Sequence, residues 1–155
     1  MLNEYEVNKI EKILKNYENK NSAIIEVMKI VQKNRGGWIS NKSMEDISKF
    51  LKIDLDYLEE IATFYSQIFR KPVGKYIIKF CDGIVCYING YKEIKKIIES
   101  MIKIKSGDTT KDKKFTLLPI SCLGNCDKSP TILINEKLYS NLNKINVSLI
   151  LKKYI

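Results

Sequence analysis

Two tight cysteine pairs, each directly behind a strand-like run, constrain this chain more than any other feature. The first is Cys81-Asp82-Gly83-Ile84-Val85-Cys86, after the run Lys75 to Phe80. The second is Cys122-Leu123-Gly124-Asn125-Cys126, after the run Phe115 to Ile120. The spacing is C-x4-C, 35 residues, then C-x3-C, and these are all 4 cysteines of a 155-residue chain. If the two strands are adjacent and parallel, both loops leave the same end of one sheet, so the fold itself gathers four thiols into a pocket. The chain also has 0 His. That removes Ser-His-Asp and Cys-His nucleophile pairs, His-ligated zinc and an imidazole base near neutral pH. Any metal must be held by cysteine or carboxylate.

The chain around the cysteines reads as two parts. Up to about residue 70 the apolar spacing is helical: Ile10, Ile13, Leu14 and Tyr17, then Ile24, Val27, Met28 and Val31. Gly36-Gly37 ends the second helix. Ser43 with Asp46 reads as a capping pair for a third helix with Met44, Ile47 and Leu51 inward. Asp54 caps a fourth with Leu58, Ile61, Ala62 and Tyr65 inward. Arg70-Lys71-Pro72-Val73-Gly74 punctuates the pattern and sets a boundary, giving a helical domain over 1–72 and a second domain over 73–155. In the second part a strand at Lys75 to Phe80 precedes a basic amphipathic helix from Tyr87 to Ile104, with Tyr91, Ile94, Ile98 and Met101 buried. A strand at Phe115 to Ile120, one at Thr131 to Ile134, a short partner at Lys137 to Tyr139 and a helix from about Val147 complete it. The order β-α-β then β-β-α, packed into one sheet, is the thioredoxin-like arrangement. The fold class expected is therefore α/β: an N-terminal helical bundle followed by a thioredoxin-like domain.

Three chemistries compete for the four thiols. A thiol-disulfide enzyme needs C-x-x-C at the first helix, and here the first pair is two residues too far apart. Structural zinc accepts four cysteines, but its paired ligands are commonly two residues apart, and neither gap fits. A 2Fe-2S cluster needs two thiolates per iron, and each pair can serve one iron from its own loop. Gly83 and Gly124 let the backbone turn and aim N–H groups at sulfur, which raises the reduction potential, although turn geometry alone also accounts for both glycines.

The remaining composition is less informative. A formal net charge of +9 invites a nucleic-acid reading. The lysines, however, are scattered from Lys9 to Lys153, and 25 Lys stand beside 25 Ile, 13 Asn and only 2 Arg. Drift in an AT-rich genome inflates Lys, Asn and Ile together and thins Arg. Residues 43 to 69 resemble a helix-turn-helix, yet the second helix opens with Asp54, Asp56, Glu59 and Glu60, which face a polyanion badly. No nucleic-acid partner is expected. No apolar run is long enough to span a bilayer, and the N-terminus lacks a signal sequence, so the expected location is cytoplasmic, where thiols stay reduced. No G-x-G-x-x-G follows a strand, so nucleotide binding falls to another protein. Thr63, Phe64 and Tyr65 read as core or interface packing, and Trp38 as a loop anchor available to a partner.

With these motifs in view, the sequence closely resembles the E-subunit family of bacterial NADH-quinone oxidoreductase, respiratory complex I. The resemblance rests on Ala62-Thr63-Phe64-Tyr65, the C-x4-C at 81 and 86, and Cys122-Leu123-Gly124-Asn125-Cys126. Longer stretches at Ala62 to Arg70, Asn89-Gly90-Tyr91 and Phe115 to Pro119 also look like enterobacterial members, and the likeness runs from about Ser22 onward. It departs at Arg35-Gly36-Gly37-Trp38, one Gly longer than the Arg-Gly-Trp of many members.

The resemblance implies a thioredoxin-like domain carrying one 2Fe-2S cluster on Cys81, Cys86, Cys122 and Cys126. It also implies a larger flavoprotein partner that binds FMN and oxidises NADH, and further peripheral-arm subunits. The expected role is electron transfer in an oxidoreductase complex, with no substrate chemistry of its own. The complex would lie peripherally on the cytoplasmic side of the inner membrane, without direct membrane insertion. Alternatives sharing the ligands are the small subunit of an NAD-linked hydrogenase or formate dehydrogenase, and a structural four-cysteine zinc domain.

Overall fold

The computed structural model describes all 155 residues, which divide into two compact units, Met1–Pro72 and Val73–Ile155. The first unit is helical: α1 (Glu4–Leu14), α2 (Ile24–Asn34), α3 (Asn41–Leu51) and α4 (Leu55–Phe64). Each helix begins or ends where local chemistry dictates. Asn3 caps α1 in a capping box with Glu6, and the Asp54 carboxylate accepts N–H groups of Asp56 and Tyr57 at the start of α4. The helical apolar stripe is buried as its spacing requires: Ile10, Ile24, Val27, Met28, Val31, Met44, Ile47, Leu51 and Leu58 form one core.

Two expectations for this unit are corrected. Ser40, not Ser43, caps α3; its hydroxyl accepts the Ser43 N–H at 3.1 Å, so the helix starts one turn earlier. Ser43 and Asp46 instead receive Arg35, at 3.2 and 2.9 Å. Tyr65 is not inward. It lies past the end of α4, 43% exposed, in edge-on contact with an 82% exposed Phe64.

The second unit holds β1 (Tyr76–Cys81), α5 (Ile84–Ile88), α6 (Tyr91–Ile102), β2 (Phe115–Ile120), β3 (Ile132–Ile134), β4 (Lys137–Tyr139) and α7 (Lys144–Lys152). The sheet order is β2-β1-β3-β4. β1 and β2 run parallel with Cys81 opposite Ile120, while β3 runs antiparallel to both β1 and β4. The expected β-α-β then β-β-α order is present. β2 lies at the edge, where Pro119 has no ladder hydrogen bond to lose. Ile78, Phe80, Leu117, Ile132 and Ile134 pack with Ile94, Ile98 and Ile102 of α6 and Val147 and Leu151 of α7. Each such fully buried aliphatic contributes roughly 1.5–3 kcal/mol relative to exposure.

The single helix expected from Tyr87 is two helices. α5 starts at Ile84, the chain breaks at Asn89-Gly90 with Gly90 at φ +86°, and α6 begins at Tyr91. Only glycine takes that backbone region without strain, which is why the break falls there.

Candidate iron-sulfur centre

Cys81 is the last residue of the inner strand β1, and Cys86 lies in the first turn of α5. Cys122 and Cys126 sit on the loop that follows β2. Because β1 and β2 are parallel neighbours, both pairs emerge from their carboxyl ends, and the crossover connection supplies the intervening residues. The structure therefore places all four sequence-predicted residues in two adjoining loops.

Backbone bonds tie the loops together. Asp82 N–H donates to Ile120 O at 3.0 Å, and Cys81 N–H donates to Thr131 O at 3.2 Å. Gly83 closes the approach: a Cβ there would stand 2.6 Å from Ser121 O and 3.6 Å from Cys81 Sγ, so no larger residue fits without moving one loop. Behind the second pair, Ser129 N–H donates to Cys126 O at 3.3 Å, and the Asn89 amide donates to Ser129 Oγ at 2.5 Å, linking that turn to the end of α5.

All four thiols are free, but their surroundings differ. Cys81 and Cys86 are 3% and 1% exposed, whereas Cys122 and Cys126 face solvent. Cys81 Sγ lies 3.9 Å from Ser121 O, and Cys86 Sγ lies 3.9 Å from the Thr131 hydroxyl. Cys122 Sγ accepts the Gly124 N–H at 3.3 Å. The expectation that Gly124 aims an N–H at sulfur holds; Gly83 instead provides close approach between loops.

The thiols interact within each pair. Burial pushes the Cys86 thiol up, and the neighbouring Cys81 adds to it. Cys122 raises Cys126 through their hydrogen bond and then through charge, with Cys81 and Asp127 contributing. Like charges at short range disfavour ionisation of both partners, so a cation that draws in these thiolates must displace protons.

The chemistry of this donor set fits a binuclear iron centre: four soft sulfur donors, two from each of two adjacent loops, and no imidazole in the chain. The family of thioredoxin-like [2Fe-2S] ferredoxins matches residues 10–155. This chain belongs to that ferredoxin family. Among its relatives, the NADH-quinone oxidoreductase E subunit of Buchnera aphidicola subsp. Baizongia pistaciae is 54% identical over 142 residues, covering 92% of this ferredoxin and 82% of the relative. The corresponding E subunit of Escherichia coli (strain K12) is 46% identical over 145 residues, covering 94% and 87%. An NAD+-reducing [NiFe]-hydrogenase in its air-oxidised state contains a similar fold, with TM-score 0.72 and 19% identity over 85% of this chain. The ferredoxin spans only 22% of that hydrogenase chain.

Sequence reasoning missed Thr131, whose carbonyl and hydroxyl serve both buried cysteines, because that contact arises only when β3 pairs with β1. It also missed Asn89 and Ser129. The cluster of Asp, Gly and Asn around the cysteines signalled turns but not which loop each would brace.

Proposed function

We propose that this chain is the electron-transfer iron-sulfur subunit of a respiratory NADH:quinone oxidoreductase. Residues 1–72 form a helical domain. Residues 73–155 form a thioredoxin-like domain that holds one 2Fe-2S cluster on Cys81, Cys86, Cys122 and Cys126. The observation that carries the reading is the arrival of two cysteine pairs side by side at the carboxyl ends of the parallel strands β1 and β2. When bound, the cluster supplies one-electron oxidation and reduction without substrate bonds being made or broken. The residues of the chain do the rest. Each pair would ligate from its own one of the two adjoining loops, the Gly124 N–H would offset negative charge at Cys122, and the sheet holds the loops in register.

A flavoprotein partner that binds FMN and NADH, together with other subunits of the peripheral arm, completes the assembly. Ile84, Tyr87 and Ile88 of α5 support this, since they are 72%, 49% and 75% exposed beside Cys86 and give apolar surface for a partner to cover. No helix is long and apolar enough to cross a membrane. The protein sits peripherally, on the cytoplasmic side. The NADH-quinone oxidoreductase relatives, at 46–54% identity, favour quinone reductase over the hydrogenase alternative, which has a fold likeness behind it.

Chemical analysis of the purified chain tests the reading. About two iron and two acid-labile sulfide per chain are expected. Zinc without sulfide overturns it.

A further inference from the structure

We infer that the exposed pair, Cys122 and Cys126, is the electron-receiving end of the site: of the two irons, the one on this loop takes the added electron. The inference rests on the proposed cluster and its four ligands, and it goes beyond them by giving the two loops different jobs.

The asymmetry is on the protein side. On reduction, one electron enters from a one-electron donor, one ferric ion becomes ferrous, and no bond forms or breaks. The cluster with its thiolates becomes one unit more negative. That unit is stabilised where solvent and hydrogen-bond donors reach the ligating sulfurs, and disfavoured where the sulfurs are buried. Cys81 and Cys86 are 3% and 1% exposed, against solvent-facing Cys122 and Cys126. Cys81 Sγ lies 3.9 Å from the Ser121 carbonyl oxygen, the negative end of a dipole. Cys86 Sγ lies 3.9 Å from the Thr131 hydroxyl. Cys122 has a backbone N–H at 3.3 Å, already within hydrogen-bond range of sulfur.

Nearby carboxylates do not reverse this preference. Asp82 follows Cys81 and Asp127 follows Cys126, so each pair has one carboxylate next to it in sequence. Lys128 adds a cation only on the second loop. Burial and the Gly124 N–H thus favour the same iron.

The experiment uses the full-length wild-type chain with its cluster, reduced by dithionite, and proton NMR of its cysteine β-CH2 groups. Ligands of a ferric ion in a reduced cluster show large downfield shifts that shrink on warming. Ligands of the ferrous ion show smaller shifts with the opposite trend. The β protons of Cys86 are assigned through their proximity to Thr131. The ferrous pattern is expected on Cys122 and Cys126 and the ferric pattern on Cys81 and Cys86. The reverse assignment, or one pattern shared by all four, overturns the inference.

A second measurement compares midpoint potentials of Cys126→Ser and Cys86→Ser. The harder oxygen ligand penalises the ferrous state most on the iron that is reduced, so Cys126→Ser should move the potential further negative. Equal or reversed shifts count against the inference. If either serine variant assembles no cluster, the wild-type NMR pattern decides alone. A wild-type chain without iron and sulfide overturns the underlying cluster reading itself, and that outcome is distinguishable from either result above.

Discussion

Glu6 is the sharpest test of the helical unit. It is 0% exposed, and its carboxylate accepts from Arg35 Nε and Nη2, both at 2.8 Å, from the Asn34 amide at 3.0 Å and from Asn3 N–H at 2.9 Å. Hydrogen bonding to Arg35 is the main cause of a Glu6 pKa lowered from 4.5 to about 2, with burial opposing it. A carboxyl whose folded pKa is depressed contributes stability that is present above its unfolded pKa and lost as pH falls toward the folded one. A drop of about 2.5 units corresponds to about 3.4 kcal/mol at neutral pH, and about 1.4 kcal/mol of it is gone by pH 3.5. Glu6→Gln removes this term and leaves Arg35 partly unpaired, so it should destabilise the unit by about 3 kcal/mol at pH 7. Trp38, the only Trp of the chain, reports on this unit by fluorescence during urea unfolding. Arg35 and the N-terminal ammonium also lower the Asp46 pKa against its burial, so the test is read as the difference between the two proteins. The gap between wild type and Glu6→Gln should therefore narrow by roughly 1.4 kcal/mol between pH 7 and pH 3.5. A gap that stays constant across that range, or lies below about 0.5 kcal/mol at pH 7, the usual scale of a surface substitution, refutes the reasoning.

Two further predictions concern the cluster loops. Gly83→Ala should lower iron and sulfide content and loosen the sheet end, because its Cβ meets Ser121 O at 2.6 Å and one loop must shift; full content at unchanged thermal stability would show that the loops yield freely. Cys81→Ser and Cys126→Ser should each damage the visible absorption of the cluster far more than Asp127→Asn, since serine oxygen replaces a soft thiolate poorly, and intact spectra in all three would contradict the ligand assignment.

What the sequence made legible follows from its periodicities. The strand runs ending at Phe80 and Ile120 place the cysteine loops at one end of the sheet whenever the strands are parallel, and a β-α-β order makes them so. The inward faces of α2 and α3 follow equally from spacing. Capping is less determined locally. Ser40 and Ser43 are both competent caps, and the choice is made by Arg35, which takes the Ser43 and Asp46 side chains from across the unit. The break between α5 and α6 was hidden because Ile84 to Ile102 keeps a helix-like apolar count, and only Gly90 interrupts it. Thr131 was invisible for a stronger reason: it is 45 residues from Cys86, and nothing short of the β1–β3 pairing brings it there.

The opposed surroundings of the two pairs have one structural origin. β1 is an inner strand, flanked by β2 and β3, so Cys81 at its end is buried, and Cys86 is buried within α5. β2 is an edge strand of the sheet, and the cysteines of the loop that leaves it face solvent. The same topology that makes the pairs neighbours also makes them unequal. Exchanging their roles would require exchanging the edge and inner strands, a change of fold rather than of side chains. Tuning within this fold is therefore confined to groups such as the Gly124 N–H and the Thr131 hydroxyl, which alter the charge seen by a sulfur without moving the strand that carries it.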